Sequence, residues 1–102
     1  MKIEKFEDIN AWQEARMLVK MIYNINKTNK NFSKDYKFRE QICNAAVSVM
    51  SNIAEGFSRH SNKEFTQFLF VAKASVAEVQ SHLYVALDQE YINKNIFNEI
   101  YT

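Results

Sequence analysis

The chain contains no proline and one glycine, Gly56, in 102 residues. Tight hairpins draw on Asn-Gly, Asp-Gly, Gly-Gly or Pro-Gly pairs, because these residues reach the backbone angles that an abrupt reversal needs. None of those pairs occurs here, so a sheet of this length would be without its turns. Helices need neither residue in their interiors, and the predicted fold class is all-α: a single antiparallel helical bundle.

The apolar spacing places the helices. The first spans about Glu7 to Lys27, where Ile9, Trp12, Ala15, Leu18, Val19, Ile22 and Tyr23 recur at three- and four-residue steps. The polar tract Asn26 to Asn31 reads as a loop, and Ser33 as the N-cap of a second helix from about Lys34 to Phe57, with Gly56 where that helix should stop. Ser61 followed by Glu64 is a capping box for a third helix that runs to about Gln89 through Phe65, Phe68, Leu69, Ala72, Val76, Val79, Leu83 and Ala86. Asn93 is placed as the cap of a fourth helix carrying Ile96, Phe97 and Ile100. No repeat, low-complexity tract or linker interrupts the chain, and 47% apolar residues suffice for one core, so residues 1–102 are expected to form a single domain.

The second helix is unusual. No residue between Gln41 and Ala54 is charged, and Ile42, Ala45, Ala46, Val47, Val49, Met50 and Ile53 spread around most of its circumference. A helix that is apolar nearly all round is expected to be buried nearly all round, which a lone four-helix bundle does not provide. The surplus face predicts a partner, and a second copy of the chain is the simplest one. Along the same helix Asn44, Ser48, Asn52 and Glu55 form a narrow polar stripe that lacks lysine and arginine. We expect this stripe to be buried in the assembled protein, with Ser48 and Asn52 fixing helix register by hydrogen bonds. Glu55 should then be held by a cation, Arg59 locally or Arg16 more distantly. The alternative is ordinary capping and solvent contact near Gly56.

Catalytic machinery is not predicted. Cys43 is the sole cysteine, which excludes a disulfide framework and a Cys-x-x-Cys pair and suits a buried thiol in a reducing cytosol. A di-iron bundle needs Glu-x-x-His on two helices, whereas Glu78 and His82 lie four apart and are unrepeated. His60 sits in a turn beside Arg59 and Ser61, an ordinary place for an exposed histidine. One glycine cannot supply a nucleophile elbow or a phosphate-cradling loop. We therefore expect no catalytic residues, no metal, no cofactor and no small-molecule substrate. The opening Met1-Lys2-Ile3-Glu4-Lys5-Phe6 carries charge where a leader needs an apolar run, and no stretch approaches the ~20 residues of a membrane span, so the chain reads as cytoplasmic.

A net charge of +1 argues against a general nucleic-acid coat, but charge is unevenly placed. From Lys27 to Arg39, five cations (Lys27, Lys30, Lys34, Lys37, Arg39) face Asp35 alone, a local charge of +4, interleaved with Phe32, Tyr36 and Phe38. Repeated around an oligomer, this patch would make a basic rim for nucleic acid. The alternative is a solvated loop with its aromatics tucked into the bundle end. Arg59 is a further candidate contact, or a partner for Glu55 one turn earlier.

The stretch from Gln41 to Arg59 resembles the signature of the bacterial four-helix-bundle proteins first noticed as open reading frames inside 23S ribosomal RNA intervening sequences. Its core is Ser48-x-x-Ser51-Asn52-Ile53-Ala54-Glu55-Gly56-Phe57-x-Arg59. Phe6-Glu7-Asp8-Ile9-x-Ala11-Trp12-Gln13-Glu14-Ala15 is similar to the family's opening, and Glu64-Phe65-x-x-Phe68-Leu69-x-x-Ala72-Lys73-Ala74-Ser75 to its third helix. The resemblance implies an antiparallel up-down-up-down four-helix bundle, its assembly into a ring-shaped homo-oligomer, a pentamer, and a relationship to the accessory protein that partners reverse transcriptase in diversity-generating retroelements. It implies no reaction. Ser48, Asn52, Ile53, Glu55, Gly56 and Phe57 thereby become candidate interface or structural residues. Cys43 and Asn44 stand where the family usually carries arginine, which weakens a nucleic-acid role at those two positions. The fourth helix is also short, about 13 Å against roughly 40 Å for the third, so the groove between the first and third helices is expected to stay partly uncovered.

Together these readings predict a non-enzymatic, homo-oligomeric scaffold or binding protein, with RNA or a reverse-transcriptase-like protein as client. The competing expectation is a protein-interaction adaptor with no nucleic-acid role.

Overall fold

The structure is a computed structural model, and residues 3–101 are described. Met1 and Lys2 of the segment read for a leader, and Thr102 at the end of the fourth helix, lie outside them.

A short 3-10 turn, Phe6–Asp8, leads into α1 (Asn10–Thr28), followed by α2 (Lys30–Lys34), α3 (Tyr36–Phe57), α4 (Asn62–Asp88) and α5 (Lys94–Tyr101). There is no strand among the described residues. Successive long helices reverse direction through short connections, giving the all-α bundle that the missing turn residues require. α3 lies in the middle and packs most extensively on α4 and next on α1, while α5 touches α4 and α1.

Local signals place most boundaries correctly. Ser61 accepts the Glu64 N–H at 3.2 Å and starts α4, and Asn93 accepts the Ile96 N–H at 2.8 Å and starts α5. The second helix is a correction. The expected loop is largely helical, because α1 continues to Thr28 and only Asn29 separates it from α2. Asn29 caps α2 through the Phe32 N–H, and Asp35 caps α3 through the Phe38 N–H. Ser33 caps neither helix, since its hydroxyl donates to the Asn26 carbonyl at 2.6 Å. Burial of Phe32, which is wholly inaccessible to solvent, folds this polar tract back onto the bundle end.

Gly56 is also corrected. It lies inside α3 with a negative φ and is not the stop, although the helix ends at Phe57 as expected. What requires glycine is proximity: a Cβ at this position would stand 2.7 Å from Phe68 Cβ and 2.9 Å from Phe65 Cδ1. α3 and α4 converge there to a distance that no side chain permits. At its other end α4 closes in a Schellman arrangement, with Tyr91 N–H on the Ala86 carbonyl and Glu90 N–H on the Leu87 carbonyl. The left-handed position is filled by Glu90 at φ 61° where glycine is usual, a local strain of about 1 kcal/mol.

α3 is not buried all round within one chain. Ile42, Cys43, Ala45, Ala46, Val49, Ile53 and Gly56 are enclosed, but Asn44, Val47, Ser51 and Glu55 face outward. The outward residues are small and mostly uncharged, so a single chain leaves this face of α3 to solvent, as a lone bundle is expected to. The larger apolar exposure belongs to α4, where Phe70, Val71, Tyr84 and Val85 stand on the solvent side.

α1 and α4 both lean on α3 and diverge from each other. Between them runs a groove of about 650 Å³, with Ala11, Ala15 and Leu18 on one wall, Leu69, Ala72 and Val76 on the other, and Val49 and Ile53 of α3 among its lining. α5, eight residues long, contributes Ile100 and Tyr101 to this lining and leaves the rest open.

Candidate functional site

The basic cluster is assembled by three consecutive helices at one end of the bundle. Lys27 closes α1, Lys30 and Lys34 bracket α2, and Lys37 lies in the first turn of α3. Beneath them is an aromatic plug. Phe32 and Phe38 meet edge to face at 6.1 Å between centroids, and Tyr91 lies 5.7 Å from Phe32 and 5.8 Å from Phe38. Two of the three interleaved aromatics are therefore structural, as the solvated-loop alternative holds, and Tyr36 alone of the three is exposed.

The charges at this end differ in availability. Asp35, the one carboxylate of the cluster, accepts the Phe38 N–H at 3.3 Å and the Tyr91 hydroxyl at 2.6 Å. That carboxylate keeps the proton on Tyr91 and raises the phenol above its ordinary value of 10.0. Arg39 is half-buried and donates to the Ser33 carbonyl at 2.8 Å and to Asn26 Oδ1 at 3.5 Å, with its guanidinium 4.9 Å over the Tyr36 ring. By contrast Lys27, Lys30, Lys34 and Lys37 are exposed, and none forms an ion pair with a described residue.

Arg59 does not belong to this cluster. It follows the opposite end of α3, whose 22 residues span about 33 Å. There it pairs with Glu55 at 3.0 Å and lies 4.9 Å over the Phe68 ring.

The candidate interface residues divide. Ser48 and Asn52 turn into the seam between α3 and α4: the Ser48 and Ser75 hydroxyls share a 2.9 Å hydrogen bond. Asn52 Nδ2 donates to the Ser48 carbonyl at 2.8 Å and to Ser48 Oγ at 3.0 Å. Ile53 is core, Phe57 packs edge-on against Phe65, and Gly56 makes the close approach described above. Asn44 and Glu55 are exposed in the single chain, so the four polar residues do not share one environment. Glu55 has the local cation Arg59, and no contact with Arg16 accompanies it.

The model of the 23S rRNA-intervening sequence protein family matches residues 7–102. The chain belongs to that family. No curated protein matches it. Within this member of the 23S rRNA-intervening sequence family, the signature residues build the α3–α4 seam, while the lysines that set the bundle end apart lie N-terminal to the signature.

Two functional or structural partners escaped the sequence reading. Ser75 is the buried polar residue opposite Ser48, and its signal was a serine standing at a core position between Ala72 and Val79. Tyr91, in the α4–α5 connection, reaches across to Asp35, and nothing local announces that pairing. Cys43 of α3 is a buried thiol, and burial pushes it up despite the opposing influence of Arg39 and Tyr23. The Glu78 and His82 side chains come within 3.5 Å of each other, but among the described residues no three His, Cys, Asp or Glu groups gather as a metal set. No helix among the described residues is long and apolar enough to cross a membrane.

Proposed function

We propose that this protein is a non-enzymatic, homo-oligomeric helical scaffold that binds RNA through the lysine-bearing end of its bundle. The observation that carries the reading is the condition of Lys27, Lys30, Lys34 and Lys37. They are exposed, they occupy three consecutive helices, and none is ion-paired with a described residue, while the neighbouring Asp35 is engaged by Phe38 and Tyr91. Each such lysine can neutralise a phosphate and release condensed counterions. The family's name, which refers to 23S ribosomal RNA, supports RNA as the polyanion.

A ring of copies, five in our reading, would set several lysine ends on one rim, and simultaneous engagement would multiply a weak single contact. The outer face of α4, with Phe70, Val71, Tyr84 and Val85 exposed, supports self-association, since apolar surface of this kind marks interaction sites. The same face favours a second reading, an adaptor that binds a protein client and no nucleic acid.

Fluorescence anisotropy with a labelled RNA across a salt series, alongside light scattering, tests the proposal. Binding should weaken steeply with salt. The triple replacement Lys30→Glu, Lys34→Glu and Lys37→Glu should abolish binding while leaving oligomer mass and melting temperature in place. No binding by the parent at low salt, or equal affinity in the triple variant, favours the adaptor.

A further inference from the structure

We propose that Tyr36, backed by Arg39, is a stacking platform for one unpaired base of single-stranded RNA. The proposal rests on the RNA-binding reading above and adds to it what form of RNA the site takes.

Of the aromatics at the lysine end, Phe32 and Phe38 are drawn into the plug, whereas Tyr36 keeps 67% of its surface in solvent. It is the first residue of α3, two positions after Lys34 and immediately before Lys37. A tyrosine that served only the core would turn inward, as Tyr91 does towards Phe32 and Asp35. Instead the Tyr36 ring is supported on one side by the Arg39 guanidinium, 4.9 Å from its centroid. Arg39 is itself fixed from behind, by the Ser33 carbonyl and by Asn26. The ring and its backing cation are therefore in place before any ligand arrives, and the ring's remaining surface is open.

That arrangement has a defined chemistry. A base offers a flat π-face, and stacking on an aromatic ring requires no particular base edge, so the platform tolerates sequence. A base inside a duplex already has both faces covered by its neighbours, whereas an unpaired base in a loop or single strand can be splayed onto the ring. Lys34 and Lys37, both exposed, flank Tyr36 in sequence and would take the phosphates on either side of the stacked nucleotide. The lysines thus supply affinity for any polyanion, and Tyr36 distinguishes single-stranded from paired RNA.

The test compares a single-stranded RNA of mixed sequence with a perfect RNA duplex of the same length, using the parent chain, Tyr36→Ala, Tyr36→Trp and the triple lysine-to-glutamate variant. In Tyr36→Ala, affinity for the single strand should fall about ten-fold, the size of one lost base-stacking contact. Its affinity for the duplex and the slope of binding against salt should be unchanged. Tyr36→Trp should restore single-strand binding, and a 2-aminopurine placed in the strand should be quenched by the parent and by Tyr36→Trp but not by Tyr36→Ala. If Tyr36→Ala binds the single strand like the parent, or loses single strand and duplex equally, the platform is overturned while the lysine reading survives. If the parent binds neither RNA, or the triple variant binds both as well as the parent, the lysine reading fails and the platform falls with it.

Discussion

The α3–α4 seam and the α1–α4 groove use similar residues to opposite ends. At the seam the absence of a side chain at Gly56 lets α3 meet Phe65 and Phe68 of α4, and Ser48, Asn52 and Ser75 fill the space further along with hydrogen bonds. At the groove Ala15 of α1 and Ala72 of α4 are buried in one cluster with Val49 and Ile53 of α3, yet above them the walls that carry Ala11 and Leu69 stay apart, leaving a groove of about 650 Å³. A small residue closes the distance between two helices only when backbone stands on the other side. Where no helix stands there, the same residue type leaves a trough. Composition alone does not separate the two cases.

The contrast is broken most forcefully at Gly56. Gly56→Ala puts a methyl group within 3 Å of Phe68 Cβ, an atom fixed to the α4 backbone, so the helices must part. We expect a loss of about 2–3 kcal/mol, read from urea unfolding; an unchanged midpoint would show that the seam is looser than its geometry. Next in size is Asn52→Leu, which removes both hydrogen bonds to Ser48 and sets a branched side chain into the seam. Its cost should be about 1–2 kcal/mol by thermal melting, and light scattering should show a change of oligomer mass if the seam also sets the assembly. A variant with the parent's mass and melting temperature would make Asn52 a solvent residue. The smallest effect belongs to the groove: Ala11→Leu adds volume where there is room and should change stability by no more than about 0.5 kcal/mol. A penalty similar to that of Gly56→Ala would mean that the groove is occupied in solution.

Legibility followed the range of the interaction that decides each feature. Ser61 with Glu64, and Asn93 before Ile96, were readable because a cap and its N–H lie within one turn of sequence. Ser33 was misread for a related reason: Asn29, Ser33 and Asp35 are all capping residues, and burial of Phe32 decides which of them caps. Gly56 looked like a stop signal because glycine often ends a helix, whereas its cause lies in Phe65 and Phe68 on another helix. The lysine cluster was visible as composition. That Asp35 is taken up by Tyr91, that Arg39 is anchored, and that Tyr36 alone among the interleaved aromatics points outward are long-range facts that periodicity does not contain.

Cys43 gives the molecule a built-in clock. Its thiol is buried in the core cluster with Ile22 and Ile25 of α1, and burial pushes it up, away from the thiolate. An alkylating reagent needs the thiolate and needs access. Both come when the core cluster around it opens, so the rate at which this single sulfur is modified counts those openings. One cysteine thus makes the breathing of that core measurable without an added label.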